Sequence, residues 1–226
     1  MSKVLLLAAA SVFSLAAGAA SATQPPARSF VGSFHQFRIP KGAGLLYNQN
    51  SNGTDEAINS QNFTSVGTFS PGYDQGADDF VVPKGKTWTI TEVDVSGIYY
   101  NGSGPAASED VIFYKDRKGE TGETVKHGTF DSLKGTDDGG SFAIKLPGKG
   151  LALEAGAYWV SVVANCTFLQ CDEWAWDVNG VQRGNQAMWR QPGGRLCPNW
   201  GTLEECFSTS GDLMFDLRGT ARRKKE

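Results

Sequence analysis

The stretch from Tyr73 to Tyr114 constrains the fold more than any other. Acidic residues lead into the apolar run Phe80-Val81-Val82, Pro83-Lys84-Gly85-Lys86 reads as a turn, and a run rich in Thr, Val, Ile and Trp follows. Apolar, β-branched and aromatic runs divided by Pro and Gly read as strand, turn, strand. A Gly/Ser/Asn/Pro loop from Asn101 to Ser108 then gives way to the apolar run Val111-Ile112-Phe113-Tyr114. Trp88 and Ile90 share one parity, Val93 and Val95 the other. Because side chains alternate faces along a strand, that change of phase predicts a bulge or bend near Thr91-Glu92.

Other segments read as partners of this one. Phe30 to Ile39 and Leu45-Leu46-Tyr47 are candidate first strands, and Asn48 to Asn62, rich in Asn, Ser and Gly, reads as a surface loop. Phe142, Ile144 and Leu146 alternate with Ala143 and Lys145, which is a half-buried strand pattern. Tyr158 to Ala164 is apolar on both faces and is a candidate central strand, while Asp212 to Arg218 places Leu213, Phe215 and Leu217 on one face. No amphipathic helix and no fixed-period repeat stands out. With 28 Gly, 13 Phe, 6 Trp and 6 Tyr, the composition suits glycine turns and aromatic strands. The expected class is all-β, an antiparallel β-sandwich of jelly-roll type.

The first 22 residues combine Lys3, an apolar run and a terminal Ala20-Ser21-Ala22, the marks of a secretory signal peptide. The apolar run is shorter than the ~20 residues a spanning helix needs, and no other stretch is apolar enough, so no transmembrane helix is expected in the mature chain. The organisation expected is a signal peptide over 1–22, one sandwich over 23–219 and a basic, disordered tail over 220–226. The location expected is secreted, extracellular or at the cell surface. A formal charge of −3, with Arg222, Arg223, Lys224 and Lys225 gathered at the end, leaves an acidic body that disfavours nucleic acid. All four cysteines lie in the last third. In an exported chain an even number reads as disulfides, and the local pairs Cys166 with Cys171 and Cys197 with Cys206 are expected, since C-x₄-C and C-x₈-C do not match close zinc-ligand pairs.

Resemblance adds to this reading. Tyr73 to Pro83 (YDQGADDFVVP), Trp88-Thr89-Ile90, Gly97 to Gly102 (GIYYNG), Gly104-Pro105 and Asp212 to Gly219 (DLMFDLRG) together resemble a β-sandwich module of exported bacterial proteins. In that group the module occurs alone or beside secreted peptidases and surface-anchoring signals. The resemblance favours bacterial export and carries no catalytic residue over to this chain.

Local catalytic signatures are missing from the sequence. His35 and His127 stand in no metal-ligand spacing, and there is no G-x-S-x-G elbow, phosphate loop or dinucleotide fingerprint. A triad assembled from distant residues or a pair of facing carboxylates leaves a hydrolase as the third reading. Calcium takes carboxylate oxygens from loops, and Asp74, Asp78 and Asp79 are the candidate ligand set. Sugar recognition needs an aromatic face beside amides, carboxylates or Arg, and the cysteine-bearing region supplies both. Trp174, Trp176, Trp189, Arg190 and Trp200 are the candidate ligand-binding residues, with Trp200, inside an expected disulfide loop, the most exposed. The function expected is that of a non-catalytic binding module whose partner is a polysaccharide or other surface polymer. Binding of a surface protein through the same loops is the alternative.

Overall fold

The computed structural model describes residues 44–64 and 73–223. The expected signal peptide, the strand expected over Phe30 to Ile39, His35 and residues 224–226 lie outside these. The strands are β1 (Gly44–Asn48), β2 (Gly53–Asn59), β3 (Gln61–Phe63), β4 (Gln75–Val95), β5 (Gly97–Asn101), β6 (Ser108–Asp116), β7 (Thr121–Leu133), β8 (Thr136–Asp138), β9 (Ser141–Lys145), β10 (Leu151–Cys166), β11 (Asp172–Asn179), β12 (Met188–Arg190), β13 (Gly201–Thr202), β14 (Asp212–Leu213) and β15 (Phe215–Arg223). Two short helical turns, α1 (Phe168–Cys171) and α2 (Leu203–Phe207), interrupt them.

The larger sheet runs β1-β15-β4-β10-β6-β7, with β9 and β12 also on β4, β13 on β12, β8 on β9 and β3 on β10. The smaller runs β14-β11-β2, with β5 on β11. Pairing is antiparallel except between β3 and β10. The two sheets pack face to face as the expected all-β sandwich. Phe80, Ile90, Val93, Phe113, Val160 and Val162 from the larger sheet meet Ile58, Trp174, Trp176, Val178 and Leu213 from the smaller. Each buried aromatic removes ~150–250 Å² from water, so the tryptophans contribute heavily to cohesion.

The phase change in β4 is a bulge. Arg218 pairs with Glu92 and Gly219 with Ile90, so Thr91 is the extra residue, and Trp88, Ile90, Val93 and Val95 all reach the core. The turn expected at Pro83 to Lys86 does not reverse the chain. Val82 pairs with Gly156 and Thr87 with Glu154 of the same strand, and the four residues between them bow outward. The expected last strand divides: β14 pairs in the smaller sheet and β15 in the larger, while Leu213, Phe215 and Leu217 all stay in the core.

Two further expectations are corrected. Asn48 to Asn62 is not all surface loop, because β2 and β3 lie within it and residues 57–61 are buried. Two of their polar side chains are satisfied internally: Ser60 Oγ donates to the Val162 carbonyl, and Gln61 Nε2 donates to the Asp172 carbonyl while Gln61 Oε1 accepts from the Trp174 amide. Within the tail expected to be disordered over 220–226, Thr220 to Arg223 instead continue β15 and pair with Thr89 to Lys86. Both expected disulfides are present, Cys166 with Cys171 and Cys197 with Cys206. Disulfides persist in oxidising compartments, so these two are compatible with an extracellular location. No helix among the described residues is long and apolar enough to cross a membrane.

Candidate functional site

Alternation along the larger sheet creates two distinct apolar clusters. On β4, Phe80 faces the core and Ala77 the opposite side. A Cβ added at Gly76 would meet Ile58 Cδ1 at 2.9 Å and Leu213 Cδ1 at 3.1 Å, which fixes that residue's side of the strand as the core side. The same division separates Val160 from Trp159 on β10, Phe113 from Tyr114 on β6, and Trp189 from Met188 on β12. The face turned away from the smaller sheet therefore carries its own cluster of Ala77, Tyr114, Trp159 and Met188, with Ile112 and Trp200 packed against it.

Trp200 reaches this cluster from the loop closed by Cys197 and Cys206. Directly after it, Gly201 pairs with Trp189, and α2 is held by a capping box: Thr202 Oγ1 accepts from the Glu205 amide and Glu205 accepts from the Thr202 amide. The disulfide, the β12–β13 pairing and this cap fix both ends of the loop. Trp200 meets the Tyr114 ring edge-on, with centroids 5.7 Å apart, and remains partly exposed.

Arg190 completes the arrangement. It pairs with Gln75 across β12 and β4, and its Nε donates to Gln75 Oε1 at 2.8 Å. Gln75 Nε2 in turn donates to Tyr114 Oη at 2.8 Å and to Ser161 Oγ at 2.9 Å, so a fully buried amide holds the arginine. The guanidinium carbon stands 4.5 Å from the Trp200 ring centroid, a cation–π stack. Nearby, Asn165 Nδ2 donates to Asp110 Oδ1 at 2.8 Å and to Ser108 Oγ, and Asn62 Nδ2 donates to Asn165 Oδ1. Tyr73 lies within electrostatic reach of Tyr114, Arg190 and Asp110, and burial pushes its phenol up to about 12. Aromatic rings, amides, a carboxylate and a guanidinium thus share one sheet face.

The sequence singled out Arg190 and Trp200 in this group. Trp174, Trp176 and Trp189, expected beside them, are fully buried, and the correction has a plain cause. Their alternation points them between the sheets, and their indole N–H groups donate to the Gly140, Met214 and Asn59 carbonyls, so the rings are core. Tyr73, Gln75, Tyr114, Asp110 and Asn165 were missed. The available signal was that Val111-Ile112-Phe113-Tyr114 is apolar on both faces, which means that both faces of β6 are covered.

The three aspartates of the calcium expectation take separate places. Asp74 accepts from Gln191 Nε2 at 2.7 Å, and burial pushes its carboxyl up to about 7. Asp78 is wholly buried and accepts from Gln49 Nε2 and the Leu213 amide, both at 2.6 Å, and from the Asp79 amide. Burial first, and then the charge of Asp212, holds it well above the ordinary carboxyl range. Asp79 accepts from the Asn185 amide and Nδ2. At least one oxygen of each of the three thus accepts from an amide group. Among the described residues no three His, Cys, Asp or Glu side chains come together as metal ligands.

Comparison with family models, with curated proteins and with solved structures found no match.

Proposed function

We propose that this chain is a non-catalytic extracellular or cell-surface binding module that holds a glycan or related surface polymer on the outer face of its larger sheet. One observation carries the reading: a partly exposed tryptophan, pinned by a disulfide loop, is stacked with an arginine that a buried glutamine orients. Sugars present apolar C–H faces and hydroxyl edges. The exposed part of the Trp200 indole suits the first, and the partly exposed Arg190 and Asp110 suit the second. The disulfide loop and the Gln75 hydrogen bond order this surface before any ligand arrives, which lowers the ordering cost of binding.

Titration of the oxidised protein with a panel of soluble polysaccharides, followed by tryptophan fluorescence, tests the proposal. The expected result is a saturable change that Trp200→Ala abolishes while the melting transition stays cooperative. Repeating the titration in calcium and in chelator shows whether an ion takes part. A flat response across the panel, from protein that still melts cooperatively, would reject the glycan reading in favour of a protein ligand.

A further inference from the structure

Building on that reading, we propose that Arg190 makes the site selective for sugars that carry a carboxylate, the uronic acids, and that the natural ligand is a polymer of such rings. The guanidinium makes one side-chain hydrogen bond among the described residues, through Nε to Gln75. None of the ion pairs of the described residues involves it. Trp200 holds the guanidinium carbon over its ring, and the Gln75 bond ties down Nε. What remains is the terminal nitrogen pair, the part of a guanidinium that grips a carboxylate bidentately.

The contrast with Arg218 strengthens the point. Arg218 is buried and neutralised by Asp94 at 2.5 Å, with Glu92 and Asp216 near it, and so is structural. Arg190 is partly exposed and is oriented by Gln75 with no ion-pair partner among the described residues. The overall charge of −3 disfavours polymers that carry several charges on each ring, such as polysulfates, whereas one oriented fork suits a single carboxylate per ring.

The test is titration calorimetry with full-length protein against three polymers: polygalacturonate, the same polymer with its carboxyls reduced to alcohols, and dextran sulfate. Polygalacturonate should bind at least about 10-fold more tightly than its reduced form, the scale of a charge-assisted bidentate pair. Arg190→Gln should erase that difference, and Arg190→Lys, which keeps the charge but loses the fork, should restore only part of it. The ligand-side comparison uses wild-type protein alone, so it decides the matter even if an Arg190 variant folds poorly. Equal binding of the acidic and reduced polymers would overturn the inference and leave the glycan reading intact. Dextran sulfate binding as tightly as polygalacturonate would overturn the carboxylate assignment. Binding of none of the three to a protein that does bind another neutral glycan through Trp200 would overturn the inference alone. Failure of every glycan would remove the reading and the inference together.

Discussion

Replacing Asp177 by Asn should stabilise the protein in alkaline solution and leave it nearly unchanged in acid. Asp177 is 6% exposed and lies opposite Ala57 where β11 pairs with β2, two residues along the strand from the buried Ala175. Its carboxyl has no hydrogen-bond partner among the described residues, and burial alone pushes it up to about 7 from 3.8. A folded-state value raised above the unfolded one means that the native state binds the proton more tightly. The corresponding stability is fully present below the unfolded value and is lost as pH rises through about 7. At ~1.4 kcal/mol per unit, the shift sets a ceiling of ~4 kcal/mol on the cost of ionising this group in place, and relaxation of the surroundings brings the expected effect to roughly 1–3 kcal/mol. Asparagine keeps the shape and never ionises. Urea unfolding at about pH 3 and pH 8.5, with m-values compared, should show no gain at the lower pH, which lies below the unfolded value, and a gain of that size at the higher. An equal change at both values, or a loss at pH 8.5, would refute the reasoning.

Other expectations follow from named contacts. The double variant Cys197→Ser, Cys206→Ser should lose about 3 kcal/mol by chain entropy, since the bridge spans nine positions, and should weaken ligand binding by releasing Trp200; thermal melting and the polysaccharide titration read the two effects. Gly150→Ala should cost more than about 2 kcal/mol, because φ is 70° and a Cβ there would meet the Ile90 carbonyl oxygen at 2.0 Å. Gly148→Ala, with φ at 64° and no atom within 4 Å, should cost only about 1 kcal/mol by denaturant unfolding. Trp174→Ala should cost ~3–5 kcal/mol as a core truncation, whereas Trp200→Ala should lower the melting temperature far less.

The sequence reading succeeded where hydrophobic pattern alone decides structure. The parity change placed a bulge or bend near Thr91-Glu92, where the bulge is found, and the local spacing of the cysteines matched the pairing that forms. It failed where buried polar residues take the place of apolar ones. Asn59, Ser60 and Gln61 look like loop residues, yet they are buried between strands, and Ser60 and Gln61 are held there by carbonyl and amide partners far along the chain. The tryptophans show the same limit from the other side. Trp189 and Trp200 lie in one Gly- and Pro-rich segment, and only the pairing of β12 with both β4 and β13 sends the first inward while the loop carries the second to the outer face. The partnership of Gln75 with Arg190 depends on strand register across 115 positions, for which local sequence gives no cue.

The central claim is that ligand meets Trp200 and none of the core tryptophans. Fluorine NMR of protein in which all six tryptophans are replaced by 5-fluorotryptophan separates these sites, with the Trp200 line assigned from a Trp200→Phe variant. Addition of polygalacturonate should shift the Trp200 resonance in a saturable way and leave the lines of Trp174, Trp176 and Trp189 in place. A shift confined to other tryptophans, or no shift at polymer concentrations that saturate calorimetric binding, would contradict the account.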